Sequence, residues 1–192
     1  MSRICCARES YNKSLYMIDQ SVLEKIKKIK VLLLDVDGVL TDGRIVYDSR
    51  GRDSKFFDVR DGLGVHLLGK CGIPAVLITA KGSRAICPRA RDMKIDKVYE
   101  NVSSKVAVLP QLLARYKVNA GELCFVGDDL VDICLMRKVG FPVAVANACA
   151  EVKQTALWVT SREGGRGAVR EVSELILKTQ GKWAEAIKAY DL

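Results

Sequence analysis

The sequence predicts an α/β fold: a Rossmann-like, doubly wound and mainly parallel sheet with an inserted β-hairpin and no separate cap domain. Three observations predict it. Short continuous apolar runs, which suit strands buried on both faces, alternate with segments of helical periodicity. The first run, Val31-Leu32-Leu33-Leu34, stops at two carboxylates two positions apart, Asp35 and Asp37, followed by Gly38. Polar groups recur at the ends of later runs, as Thr79 and as Gly127-Asp128-Asp129, and strand ends are where open α/β sheets gather ligands.

The elements follow in order. Met17 to Lys28 carries Ile18, Val22, Leu23 and Ile26 at helical spacing, and the first strand comes next. Residues 44–47 and 54–59 read as two strands joined by the turn-like Asp48-Ser49-Arg50-Gly51-Arg52, hence a hairpin. Asp61 is placed to cap a helix over Gly62 to Lys70 that ends near Gly72. Residues 74–79 form the next buried strand, and Ser83 opens a helix to about Arg91. Lys97-Val98-Tyr99 is a brief strand. A helix through Lys105, Leu109, Leu112 and Leu113 follows, with Pro110 marking a boundary or a kink. Residues 122–126 make a strand, followed by a helix reaching Val139. Residues 142–146 and 157–159 are the last strands. Gly164-Gly165-Arg166-Gly167 reads as a flexible loop before a helix from Ala168 to Lys178, and a final helical stretch runs from Lys182 to Tyr190.

Composition narrows the function classes. The chain has 192 residues, 49% hydrophobic and 28% charged, enough for one sizeable core in a soluble protein. No apolar run reaches the length of a membrane span, and residues 1–16 lack the apolar centre of a signal peptide. They are expected to be a disordered extension, with one folded domain over residues 17–192. Cys5, Cys6, Cys71, Cys87, Cys124, Cys134 and Cys149 are odd in number and contain no C-x-x-C pair. Cys124 and Cys134 fall inside apolar patterns, and the cysteines read as reduced core residues of a cytoplasmic protein. The net charge is +8, partly from Lys25, Lys27, Lys28 and Lys30, but aromatics are only 6% and no recognition motif accompanies the charge. No nucleic-acid partner and no membrane partner are expected. A solvated helix face and an anion-binding cleft account for the charge.

Taken singly, Lys105 reads as a surface helix lysine and Thr79 as a plain strand end. Their order changes that reading. Asp35 and Asp37 end one strand, Thr79 another, Lys105 opens a later helix, and Asp128, Asp129 and Asp132 follow a third strand. In a doubly wound sheet these positions face one crevice. Carboxylates with one lysine and one hydroxyl suit a magnesium ion and a phosphoryl group.

These residues carry a resemblance. The chain resembles the haloacid dehalogenase superfamily through Asp35-x-Asp37, Thr79, Lys105 and Gly127-Asp128-Asp129-x-x-Asp132. It is most similar to the 3-deoxy-D-manno-octulosonate 8-phosphate phosphatases, through residues 35–43, 58–62, 127–132 and 164–171. The resemblance implies a Mg2+-dependent phosphatase of lipopolysaccharide precursor synthesis whose partner is a small anionic sugar phosphate. Asp35 would be the nucleophile and Asp37 the acid and base. Thr79 would donate to a phosphate oxygen, and Lys105 would balance transition-state charge. The metal would be held by Asp35, the Asp37 carbonyl and Asp128, with Asp129 and Asp132 orienting them.

For the substrate, the resemblance points to Asp58, Val59, Arg60, Asp61, Gly62 and Arg89, and to Arg166 of the glycine-rich loop. The chain departs from the pattern at two positions. Ala80-Lys81 replaces Gly-Arg, and His66 replaces an arginine; both are carried as substrate-binding candidates. A lysine keeps charge but loses bidentate carboxylate recognition, so a nine-carbon 2-keto-3-deoxy sugar acid phosphate is the alternative substrate. A receiver-type signalling module is set aside because its acidic pair precedes its Thr and Lys. A non-catalytic assembly relative is set aside because Asp35, Asp37, Lys105 and Asp128 are intact. The hairpin and one helix fill the chain between Asp37 and Thr79, which leaves no room for a cap. The resemblance implies a homotetramer in which packed hairpins and neighbouring chains cover the sites, with the C-terminal segment closing over a neighbour. Truncation before Gly164 is expected to leave a folded, magnesium-binding core.

Overall fold

Strand β1 (Val31–Leu34) is buried along its whole length and pairs in parallel with β4 (Ala75–Ile78) on one side and β6 (Leu123–Gly127) on the other. In register, Leu33 lies opposite Val76 and Phe125. The computed structural model describes residues 18–190. The expected N-terminal extension, with Cys5 and Cys6, lies outside the described residues.

The main sheet has six strands in the order β5-β4-β1-β6-β7-β8, with β5 Lys97–Tyr99, β7 Phe141–Ala144 and β8 Trp158–Val159. Every pairing is parallel. From β1 the chain builds outward through β4 and β5, then returns to the other side of β1 with β6. That reversal of direction opens a crevice at the carboxyl ends of β1 and its two neighbours. The core is the apolar run of these strands with the inner faces of the helices.

Helix α1 (Gln20–Lys27) precedes β1 and is capped by Asp19, whose side chain accepts from the Ser21 amide at 2.7 Å. The hairpin is shorter than expected: β2 (Val46–Tyr47) pairs with β3 (Asp53–Ser54) alone. The residues expected to extend β3 instead lead into α2 (Val59–Lys70). Asp58, not Asp61, is its cap, accepting the Arg60 amide at 2.8 Å. Two aspartates in the right context compete for one cap, and the extended backbone of Asp58 decides it.

Helix α3 spans Ile86–Asp92. A 3-10 turn over Lys105–Val108 leads into α4 (Leu109–Tyr116), with Pro110 in the first helical turn, where a missing N–H costs nothing. After β6 come a 3-10 turn, Leu130–Asp132, and the short α5 (Ile133–Met136). Helix α6 (Ala150–Thr155) carries the chain from β7 to β8 and was not expected. It buries only Val152, too little for an apolar period to show.

Helix α7 (Ala168–Thr179) packs along α2 and buries Ala168, Val169, Val172, Leu175, Ile176 and Leu177. It is a wall of the core. A cut before Gly164 would remove this helix and uncover α2, which weighs against the folded remnant expected from the sequence. Helix α8 (Trp183–Ile187) is followed by a 3-10 turn, Lys188–Tyr190.

Candidate active site

The ladder of β1 runs on through the Asp35 amide, which donates to the Val126 carbonyl at 3.2 Å and fixes Asp35 at the crevice floor. The chain then turns tightly. The amides of Leu40 and Thr41 both donate to the Val36 carbonyl, and Thr41 Oγ1 accepts from the amides of Gly38 and Gly43, each at 3.2 Å. Gly38 has φ +95°, and a Cβ there would stand 1.9 Å from Asp128 Oδ2. Only glycine lets this turn lie against the second acidic loop.

Lys105 and Thr79 complete the floor. Lys105 is buried, and its ammonium donates to both Asp35 Oδ1 and Asp132 Oδ1. Asp132 Oδ2 accepts the amides of Asp128 at 2.8 Å and Asp129 at 3.3 Å. Thr79 is buried just past β4, its amide donating to the Tyr99 carbonyl and its hydroxyl to the Lys81 carbonyl. Asp37 is held by Lys55, a hairpin residue.

Burial pushes the Asp35 carboxyl up to about 6, with Lys105 pulling it down and Asp132 adding to the rise. Burial works against the Lys105 ammonium too, but Asp35 and Asp132 outweigh it and keep the proton on nitrogen. Burial, then the charges of Asp35 and Asp132, drives Asp128 up to about 8. Carboxylate oxygens of Asp35, Asp128 and Asp132 lie within 4.8 Å of one another. A carboxyl raised mainly by burial and by like charges is relieved by a cation. Asp132 already uses both oxygens on Lys105 and two amides, whereas among the described residues the Asp128 side chain has no hydrogen-bond partner. The oxygen donors fit a divalent hard cation, with Asp35 and Asp128 as ligands and Asp132 as their support.

The residues expected to bind substrate are divided. Asp58, Val59, Arg60 and Arg166 line a hollow of about 370 Å³ with Asp42, Phe56 and Gly165. Arg60 pairs with Asp58 and donates to the Arg166 carbonyl at 3.0 Å, and Arg166 reaches Asp42 at 3.4 Å. Arg89 donates to the Asp58 carbonyl at 2.7 Å and packs against Gly62. Lys81 donates to the Tyr47 hydroxyl at 2.7 Å, so the hairpin and the loop after Thr79 are tied together. Two residues are not brought to the crevice. Asp61 is fully buried and accepts the Arg170 amide at 2.8 Å, supplying the first turn of α7 with a cap that Gly167 cannot. His66 lines a hollow with Pro74 and Asp96, the residues that lead into β4 and β5, at the opposite edge of the sheet.

The glycine-rich segment is packed. The Gly165 amide donates to the Val39 carbonyl at 2.9 Å, and a Cβ on Gly164 would fall 1.7 Å from the Gly38 carbonyl oxygen. The segment braces the turn that carries Asp35 and Asp37. Sequence reading missed Lys55 and Tyr47, because a lysine and a tyrosine in a hairpin look like ordinary surface residues.

Comparisons with known proteins agree with this layout. The profile of the haloacid dehalogenase-like hydrolases matches residues 80–171. The chain is 39% identical over 169 residues to the 3-deoxy-D-manno-octulosonate 8-phosphate phosphatase of Escherichia coli K12, covering 88% of this chain and 90% of that protein. The crystal structure of the enzyme of that name from Yersinia pestis superposes with a TM-score of 0.83 at 38% identity, over 85% of this chain and 88% of that one. The Moraxella catarrhalis enzyme, solved with magnesium ion, phosphate ion and a KDO molecule, has a TM-score of 0.85 at 36% identity, over 88% and 97% of the two chains.

Proposed function

The chain belongs to the haloacid dehalogenase-like hydrolase family, in the branch of the 3-deoxy-D-manno-octulosonate 8-phosphate phosphatases, and we propose that it hydrolyses that eight-carbon sugar acid phosphate in a magnesium-dependent reaction. As a phosphoric monoester hydrolase it must make an anionic phosphate approachable by a carboxylate. The observation that carries the reading is the pairing of Asp35 with Lys105 at the end of the central strand, with Asp37 two residues on.

Asp35, kept ionised by Lys105 despite burial, attacks phosphorus and becomes an aspartyl phosphate. Asp37 protonates the sugar oxygen as the P–O bond breaks, then takes a proton from the water that hydrolyses the intermediate. Thr79 donates to a phosphoryl oxygen, and Lys105 neutralises charge that grows on the equatorial oxygens. Asp35, the Asp37 carbonyl and Asp128 would hold magnesium, which would supply positive charge to offset these carboxylates. Arg60, Arg166 and the Asp58 turn form the polar rim that meets the sugar acid.

Water must be kept from this open crevice, and the apolar groups around it support a homotetramer. Val59 is 81% exposed and Phe56 68%, with Ile45, Leu130 and Val131 also outward. Among the described residues no helix is long and apolar enough to cross a membrane. Free thiols at Cys71, Cys87, Cys124, Cys134 and Cys149 support a cytoplasmic setting, although of these only Cys124 is a core residue as expected, and Cys87 and Cys134 are exposed.

Lys81 favours one second reading, a nine-carbon 2-keto-3-deoxy sugar acid 9-phosphate. It stands where the resemblance places an arginine, and Tyr47 holds it by a single bond. A phosphate-release panel with magnesium, using both sugar acid phosphates and common hexose phosphates, separates the two. The expected result is the highest kcat/KM for the eight-carbon substrate. A preference for the nine-carbon compound would move the assignment to the second reading, and turnover of hexose phosphates alone would overturn both.

A further inference from the structure

Lys55 is placed against the usual pattern of a hairpin. Its side chain is 3% exposed while its neighbour Phe56 is 68% exposed, so the charge points inward and the ring outward. Burying an ammonium is unfavourable unless its partners compensate, and such an inversion calls for a local reason. Two carboxylates meet it. The ammonium donates to Asp37 Oδ1, and Asp53 Oδ2 lies 3.7 Å away, paired in charge without a hydrogen bond. Among the described residues Asp37 Oδ2 has no partner. The hairpin itself is fixed from its other strand, where Tyr47 takes the Lys81 ammonium.

We infer that Lys55 is a positioning residue for Asp37: by occupying Oδ1 it leaves Oδ2 as the oxygen that carries the proton. This rests on the reading of Asp37 as acid and base. A cation-bound oxygen is the poorer site for a proton, so the neutral acid keeps its hydrogen on Oδ2. As the P–O bond breaks, that proton passes to the departing sugar oxygen, the bonding pair stays on that oxygen, and Asp37 is left as a carboxylate still held through Oδ1. The carboxylate is then in place to receive a proton from water. The β-hairpin, seen this way, carries part of the acid–base machinery and is more than a cover.

The test compares leaving groups through kcat/KM at saturating magnesium, because that ratio reports the step in which the leaving group departs. The substrates are the eight-carbon sugar acid phosphate and 4-nitrophenyl phosphate, whose phenolate leaves with little need of an acid. Lys55→Met is expected to lose roughly 10- to 100-fold on the sugar phosphate, a fraction of the range of general acid catalysis, and several-fold less on the aryl phosphate. In an Asp37→Asn background the same substitution should add at most about 2-fold, as expected for two residues that act as one unit. Lys55→Gln, which keeps a polar group, gives the same comparison should the methionine variant fail to melt cooperatively. Equal losses on both substrates, no loss, or an undiminished loss in the Asp37→Asn background would make Lys55 a hairpin anchor only. Asp37→Asn alone distinguishes the underlying reading: if it shows no leaving-group dependence, the acid assignment fails whatever Lys55 does.

Discussion

Asp132 holds Lys105 in place while holding the backbone of the second acidic loop: one carboxylate oxygen takes the ammonium and the other takes the amides of Asp128 and Asp129. One buried side chain therefore sets both the charge beside Asp35 and the loop proposed to present a metal ligand. Asp132→Asn is expected to weaken magnesium affinity and turnover together, each by about 10- to 100-fold, the usual cost of losing a supporting partner. Titration of activity with magnesium reads both. A variant with normal metal affinity would detach Asp132 from the metal loop.

Asp35→Asn is expected to lower turnover by at least about 10⁴-fold while leaving the melting curve cooperative, because an amide is a far poorer nucleophile and a weaker ligand. Residual activity near wild type would refute the nucleophile. Asp37→Asn should lose roughly 10²- to 10⁴-fold in kcat/KM on a sugar phosphate and less on 4-nitrophenyl phosphate.

Gly38→Ala introduces a Cβ where the backbone is left-handed and where Asp128 Oδ2 stands 1.9 Å away. The loop or the carboxylate must move. Magnesium affinity is expected to fall by more than about 10-fold with a smaller change in melting temperature. Isothermal titration with magnesium checks it, and unchanged binding would show that the turn and Asp128 are free of each other.

Asp61 gives the fold a pH dependence of defined sign. Burial, the largest influence, raises its carboxyl from 3.8 to about 6, against the Arg170 amide that lowers it. The folded chain therefore binds this proton more tightly than the unfolded chain does. The associated stability is fully present below about pH 3.8 and is lost as pH rises through about 6. Asp61→Asn keeps an acceptor for the Arg170 amide and cannot ionise. Its melting temperature relative to wild type should climb between pH 4 and 6, by the linkage argument, and hold level at higher pH. Parallel curves would show that Asp61 does not titrate in this window.

Ending the chain before Gly164 removes α7 and uncovers α2. No cooperative melt is expected. Ending it after Gly181 removes Lys182, α8 and the 3-10 turn after it, and should keep the core folded, at a cost of a few kcal/mol for the lost burial of Trp183 and Ala186. Circular dichroism of the two truncations decides whether α7 is core or appendage.

Much was legible in the sequence because the physics responsible is local. A run such as Val31 to Leu34, apolar without interruption, has one economical place in an α/β protein, the centre of a parallel sheet. Two carboxylates at its end, a threonine, a lysine and an acidic loop could then be assigned to one crevice, since parallel strands share their carboxyl ends. The choice of Asp58 over Asp61 as a helix cap was not legible. Both have the right chemistry; the extended backbone at Asp58 decides it, and Asp61 serves the first turn of α7 instead. His66, carried as a substrate candidate although a helix-face residue by its pattern, lies further along α2 than Arg60, in a hollow with Pro74 and Asp96 at the opposite edge of the sheet.

The sequence by itself determined the parallel sheet, because short apolar runs encode its strands locally. It also assigned the acidic, lysine and threonine groups to one crevice, because their order along the chain places them at the ends of strands that share that crevice. Only the tertiary structure decided the inward turn of Lys55 onto Asp37, the bracing of Gly38 by Gly164, the capping of α7 by Asp61 and the place of α7 in the core. Each of these joins segments far apart in the chain, and such contacts are set by packing, by the need to pair buried polar groups and by close backbone approach. No local pattern encodes them.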